Sequence, residues 1–162
     1  MTSTEIPQTL FIDTDAYLTR WQGHRSLTRK VFESFPDDQL FTFSVGGMRP
    51  FAKLFQELIQ MAAPCTKGFA TGEWDTLDFE KNYTKEELLS AWDQSTLDID
   101  RYWKMIPSEK FQTEETIFGQ YEGKVFQHFD YIVDNEIHHR AQGYVYLRAL
   151  GIEPPYFWDR ER

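Results

Sequence analysis

Asp134-Asn135-Glu136-Ile137-His138-His139-Arg140-Ala141-Gln142 gathers charged, imidazole and amide groups in the middle of a stretch that otherwise repeats apolar residues with helical period. Val125, Phe129, Ile132 and Val133 on one side, and Tyr146, Leu147 and Leu150 on the other, supply the apolar face of a helix predicted from Gly123 to Leu150. Gly151 suits a left-handed cap, and Pro154-Pro155 follow it. Positions 128, 132, 135, 139, 142 and 146 share one face, which aligns His128, Asn135, His139 and Gln142 with Ile132 and Tyr146. If that face is buried, its polar groups require partners.

Three more helical segments lie upstream. Asp13 or Thr14 is placed to cap one running to about Phe35, with Tyr17, Trp21, His24, Thr28, Val31 and Phe35 on a single face. Pro36 to Arg49 is turn-rich and reads as a loop. Pro50 suits the first turn of a second helix, whose stripe Phe51, Leu54, Phe55, Leu58 and Ala62 ends near Pro64. A stretch carrying Gly68, Gly72 and Trp74 to about Tyr83 is long enough to read as a crossover. Thr84-Lys85-Glu86-Glu87 has the capping-box pattern and opens a third helix, continued by Leu88, Leu89, Trp92, Leu97, Ile99 and Trp103 and stopped by Pro107. Ser108 to Glu122 forms a second connection. Four helices with one or two long connections define an all-α four-helix bundle with a crossover, expected to form one domain over residues 1–162.

Composition bounds the function. The chain is 41% hydrophobic and 17% aromatic, which excludes a disordered chain. Its formal charge of −9 repels phosphate backbones, so nucleic acid is not an expected partner. Cys65 is the only cysteine, which rules out an intrachain disulfide. Met1 to Gln8 is polar without an apolar signal core, and no stretch approaches the roughly 20 apolar residues of a membrane span, so the expected location is the cytoplasm, away from membranes.

Chemistry concentrates on the last helix. A neutral imidazole suits zinc, nickel, copper or iron, and a second ligand one turn away chelates with least strain; Asn135 holds that place relative to His139. An amide oxygen is a weak donor, so a carboxylate from another helix is wanted, and Glu57, beside the stripe of the second helix, is the candidate. Two bland readings stand beside this one: Glu57 reaching solvent from the edge of its stripe, and His139 as a core histidine bonded to a carboxylate such as Glu57. His24 and Tyr146 are candidate site-lining residues, His24 approaching from a third side or resting as a satisfied core histidine. Glu136 and His139 make a single Glu-x-x-His pair, whereas di-iron bundles use two such pairs and two further Glu. Arg140, charged at every working pH, can hold a carboxylate from a neighbouring helix, with a salt bridge at the surface or bundle end the commoner role.

Asn135-Glu136-Ile137-His138-His139-Arg140-Ala141-Gln142 followed by Tyr146-Leu147-Arg148-Ala149-Leu150-Gly151-Ile152 resembles the last-helix signature of DinB-like (YfiT-like) proteins, and Met48-Arg49-Pro50-Phe51 is similar to the segment leading into their second helix. The resemblance implies an up-down-down-up bundle, often dimeric, with a divalent metal held by three histidines. Carried over position by position, those ligands fall on Glu57, Asn135 and His139, so a nitrogen site becomes mainly an oxygen site with altered preference among zinc, nickel, manganese or iron. The resemblance further implies a stress- or damage-inducible protein and a metal-dependent transferase acting on a small-molecule substrate with a low-molecular-weight thiol. The two substitutions motivate the alternative, a non-catalytic bundle that has lost its metal site and acts as a binding or dimerisation protein. A third reading is an aromatic-lined pocket for an apolar small molecule.

Overall fold

Asp13 accepts a hydrogen bond from the Ala16 amide at 2.7 Å and thereby starts α1 (Thr14–Glu33) in the computed structural model, which describes residues 11–161. Met1 to Gln8 lies outside the described residues. A one-turn α2 (Asp37–Leu40) interrupts the loop that leads to α3 (Phe51–Thr71). α4 (Lys85–Trp103) opens with the predicted capping box: Thr84 Oγ1 accepts from the Glu87 amide at 3.2 Å, and the Glu87 carboxylate accepts from the Thr84 amide at 2.8 Å. α5 (Val125–Ala149) ends at Gly151, whose φ of 76° is the left-handed conformation that a side chain would strain.

The second helix does not stop at Pro64. Pro64 forfeits one main-chain hydrogen bond, but the apolar stripe continues through buried Cys65 and Phe69 to Thr71, and Gly72 then terminates the helix at φ 79°. The connection after Pro107 is more ordered than a loop. A 3-10 turn (Ser108–Gln112) is followed by an antiparallel pair, β1 (Glu114–Ile117) and β2 (Tyr121–Lys124), with Glu114 opposite Lys124. It buries Phe111 and Ile117 against the end of the bundle, where four-residue strands are too short to announce themselves by period. Leu97, expected on the apolar face of α4, is 62% exposed.

Side-chain pairings fix the helix directions. Gln22 pairs with Asp100 and Arg29 with Asp93, so α1 and α4 run antiparallel. Tyr17 meets Asp130 and Thr28 meets Arg140, so α1 and α5 run parallel. Glu57 meets His139 and Phe69 meets His128, so α3 and α5 are antiparallel. The order is up-down-down-up, and parallel α3 and α4 require the intervening chain to travel back along the bundle. It does so alongside α3, where Gln60 donates to the Asp78 carbonyl and Gln56 donates to Lys81 at 2.9 Å.

The core has two apolar clusters. Trp21, Trp103, Phe111 and Phe129 belong to one, and Phe32, Phe51, Phe55, Trp92 and Tyr146 to the other. Between them fall the buried polar residues Arg25 and Thr28 on α1, Gln60 on α3, Ser95 on α4, and Glu136, His139 and Arg140 on α5, whereas Gln56, Thr66 and His128 lie alongside the clusters themselves. The polar segment that stands out in the sequence is thus one edge of a polar layer across the middle of the bundle.

Candidate functional site

Helical periodicity divides the polar segment of α5 between two neighbours. Asn135, His139 and Gln142 face α3, whereas Glu136 and Arg140 face α1.

On the α3 side, Glu57 is the hub. Its Oε1 accepts from Asn135 Nδ2 at 3.1 Å and lies 3.1 Å from His139 Nε2, and its Oε2 is 2.6 Å from Arg49 Nη1. These contacts hold the Glu57 carboxyl at about 2, well below the usual carboxylate range; the His139 hydrogen bond contributes most, burial opposes it, and Arg49 and Asn135 add to it. His139 Nδ1 lies 2.9 Å from the Gln142 amide oxygen, so an acceptor oxygen faces each ring nitrogen and a neutral ring donates to only one of the two. Tyr146 donates from its hydroxyl to the Arg49 carbonyl at 3.0 Å, fixing the residue that carries the guanidinium over Glu57. A cleft of about 260 Å³ lined by Arg49, Lys53, Gln56, Phe79 and Glu80 opens beside this network.

The structure therefore brings Glu57, Asn135 and His139 together and sets Tyr146 one layer behind them. It does not bring His24. The expected approach from a third side is corrected, because His24 lies across α5 against Arg140 and Arg160. His128 belongs to the hairpin end, with Nε2 3.0 Å from the Glu115 carbonyl. Burial pushes the Cys65 thiol up to about 12, so it is an inert core group.

The donor set does not fit the three-histidine type of metal centre. It offers one imidazole nitrogen and one weak amide, and its carboxylate is already neutralised by a guanidinium that would repel a cation from the same position. Among the described residues no group of three or more His, Cys, Asp or Glu is placed to hold a metal ion.

On the α1 side, Glu136 is almost fully buried and accepts from Thr28 Oγ1 at 2.6 Å and Trp21 Nε1 at 3.2 Å, with Arg140 Nη1 3.9 Å away. Burial raises its carboxyl above the usual range. Arg140 is not a surface or bundle-end salt-bridge residue; it is 5% exposed and donates to the His24 carbonyl and to Thr28. Arg25, also buried, stacks 3.8 Å over Trp92 and donates to Ser95, Thr96 and the Trp92 carbonyl. Sequence reasoning missed Arg25 and Arg49 as site residues; the signals for Arg49 are its place immediately ahead of the helix that carries Glu57 and within the Met48-Arg49-Pro50-Phe51 segment.

Residues 7–160 match the model of the family described as DinB family. Two solved structures share the fold. A DinB-like protein from Bacillus cereus aligns with a TM-score of 0.73 at 14% identity, over 88% of this chain and 95% of that one. The DinB-like protein YjoA from Bacillus subtilis aligns with a TM-score of 0.71 at 18% identity, over 89% and 98% respectively. No curated protein matches the chain.

Proposed function

The chain belongs to the DinB family, and from that membership and the Glu57 network we propose that it keeps the family scaffold while its mid-bundle site works without a resident transition metal, as a binding or dimerisation protein. One observation carries this reading: the Glu57 carboxylate is already saturated by His139, Asn135 and Arg49. A partly buried carboxylate, 18% exposed, that meets three donor groups is a satisfied polar network, and inserting a divalent ion would leave Arg49 facing like charge. The cleft beside Arg49 and Lys53 gives a small anionic molecule access to the edge of that network.

A second reading is a metal-dependent enzyme of the thiol-transferase type, with Glu57, Asn135 and His139 as ligands of zinc, nickel, manganese or iron. The convergence of those three side chains, with both Asn135 and His139 at 3.1 Å from one Glu57 oxygen, favours it. It requires Arg49 to leave Glu57 and the Asn135 amide to turn its oxygen inward.

Elemental analysis of untagged protein grown in metal-replete medium, with calorimetric titration of zinc, nickel, manganese and iron(II), separates the two. The expected result is no stoichiometric metal and no tight one-to-one binding. Stoichiometric metal that is lost in His139→Ala overturns the first reading in favour of the second.

A further inference from the structure

We propose that the cleft between α1, α5 and the C-terminal segment is a binding site for a small amphiphilic oxyanion, a carboxylate or phosphate monoester carried on an apolar body. This site lies across α5 from Glu57 and does not depend on the reading given to that residue.

The cleft has a volume of about 460 Å³ and is lined by Arg20, His24, Arg140, Tyr144, Phe157 and Arg160, together with the apolar Ile137 and Ala141. That volume lies in the range of small-molecule sites, which combine apolar walls with a few converging polar groups. The C-terminal wall is anchored: Lys30 pairs with Asp159 at 2.9 Å, Ser26 donates to the Glu161 carbonyl at 2.6 Å, and the chain runs so close to α1 that a Cβ at Gly23 would lie 3.3 Å from Arg160.

The polar groups in this cleft are almost all donors. Arg140 Nη2 donates to His24 Nδ1 at 3.1 Å, and because a guanidinium cannot accept, the neutral ring carries its proton on Nε2. Nε2 faces Arg160 Nη1 at 3.4 Å, so two donors point at one another with no acceptor between them. The Tyr144 hydroxyl is buried and has no hydrogen-bond partner among the described residues. Arg20 and Arg160 have no carboxylate partner among the described residues; Asp159 is taken by Lys30, and Glu136 lies on the far side of Arg140 at 3.9 Å. In a chain with 26 acidic and 17 basic residues, two arginines without a carboxylate beside a third that is paired with Glu136 are a local reversal of sign around one cleft. Burial first, and then the neighbouring Arg140, Arg160 and Arg20, hold the His24 imidazole down at about 3, so it adds no positive charge of its own to the cleft near neutral pH. An oxyanion placed among these groups supplies the acceptors they lack, while Phe157, Ile137 and Ala141 cover its apolar part.

The test uses the full chain and three probes of similar size: phenyl phosphate, benzoate and neutral benzyl alcohol, followed by calorimetry and amide chemical shifts. At least one anion is expected to bind about tenfold or more tightly than benzyl alcohol, with an affinity that falls as salt rises. Arg20→Ala and Arg160→Ala are both at exposed positions and leave the core intact; each is expected to weaken that anion about tenfold, while Lys104→Ala, which removes a charge that lines neither cleft, leaves its binding unchanged. The tighter of the two anions identifies the head group as phosphate or carboxylate. Anions that bind no better than benzyl alcohol, or equally well to an Arg20→Ala/Arg160→Ala double variant, overturn the proposal and leave the Glu57 site as it stands.

Discussion

His139 Nε2 meets Glu57 Oε1 at 3.1 Å across the α3–α5 interface, and the same carboxylate is shared with Asn135 and Arg49. Because this holds the Glu57 carboxyl at about 2 against an ordinary 4.5, it stabilises the fold above pH 4.5 and is lost as pH falls from there towards 2. Screening at the half-exposed Arg49 reduces the contribution to about 2 kcal/mol. Glu57→Gln is therefore expected to be less stable than the parent by about that amount at pH 7, with the gap closing between pH 4.5 and 2. Thermal melts of both proteins across that range check it, and a gap that does not change with pH refutes it.

Thr28 is the short donor to Glu136 at 2.6 Å, in a setting with almost no solvent. Thr28→Val keeps the shape and removes the donor, leaving a buried carboxylate short of a partner, so urea unfolding should show a loss of about 1–3 kcal/mol without a change in slope. A loss below a few tenths would mean that Trp21 and Arg140 satisfy Glu136 unaided.

Arg25 ties α1 to α4 through its stack on Trp92 and its hydrogen bonds to Ser95, Thr96 and the Trp92 carbonyl. Arg25→Ala leaves a cavity and orphaned acceptors, and is expected to cost about 3–5 kcal/mol in equilibrium unfolding. Arg25→Met, which fills the volume and stacks on the indole but brings no charge, should recover a good part of that loss.

Two helical glycines separate crowding from propensity. A Cβ on Gly143 would lie 2.5 Å from the ring of fully buried Phe51, so Gly143→Ala should destabilise by about 1–3 kcal/mol despite the better helix former. At Gly68 the clash, also at 2.5 Å, is with the Trp74 indole, which is 43% exposed and held only by edge contacts with Phe69 and Phe118, so it yields toward solvent. There the helix-propensity gain of about 1 kcal/mol offsets the adjustment, and Gly68→Ala should melt within a degree or two of the parent.

Local chemistry carried much of this architecture. The Thr84–Glu87 capping box, the Asp13 cap and the left-handed Gly151 are set by side chains within a few residues of the backbone they satisfy, so they were legible in the order of residues alone. The length of the connection before Thr84 likewise demanded a crossover. Pro64 misled because helix-breaking is a local rule, and the burial of Cys65 and Phe69 that overrides it comes from other helices. The convergence of Glu57, Asn135 and His139 could be anticipated from their faces, since periodicity fixes direction within a helix. What periodicity cannot give is the rotation of one helix against another. That alone decided that Glu136 and Arg140 turn to α1, that His24 stands across α5 from Glu57, and that Arg49 and Arg160, from segments without any period, close the two polar sites.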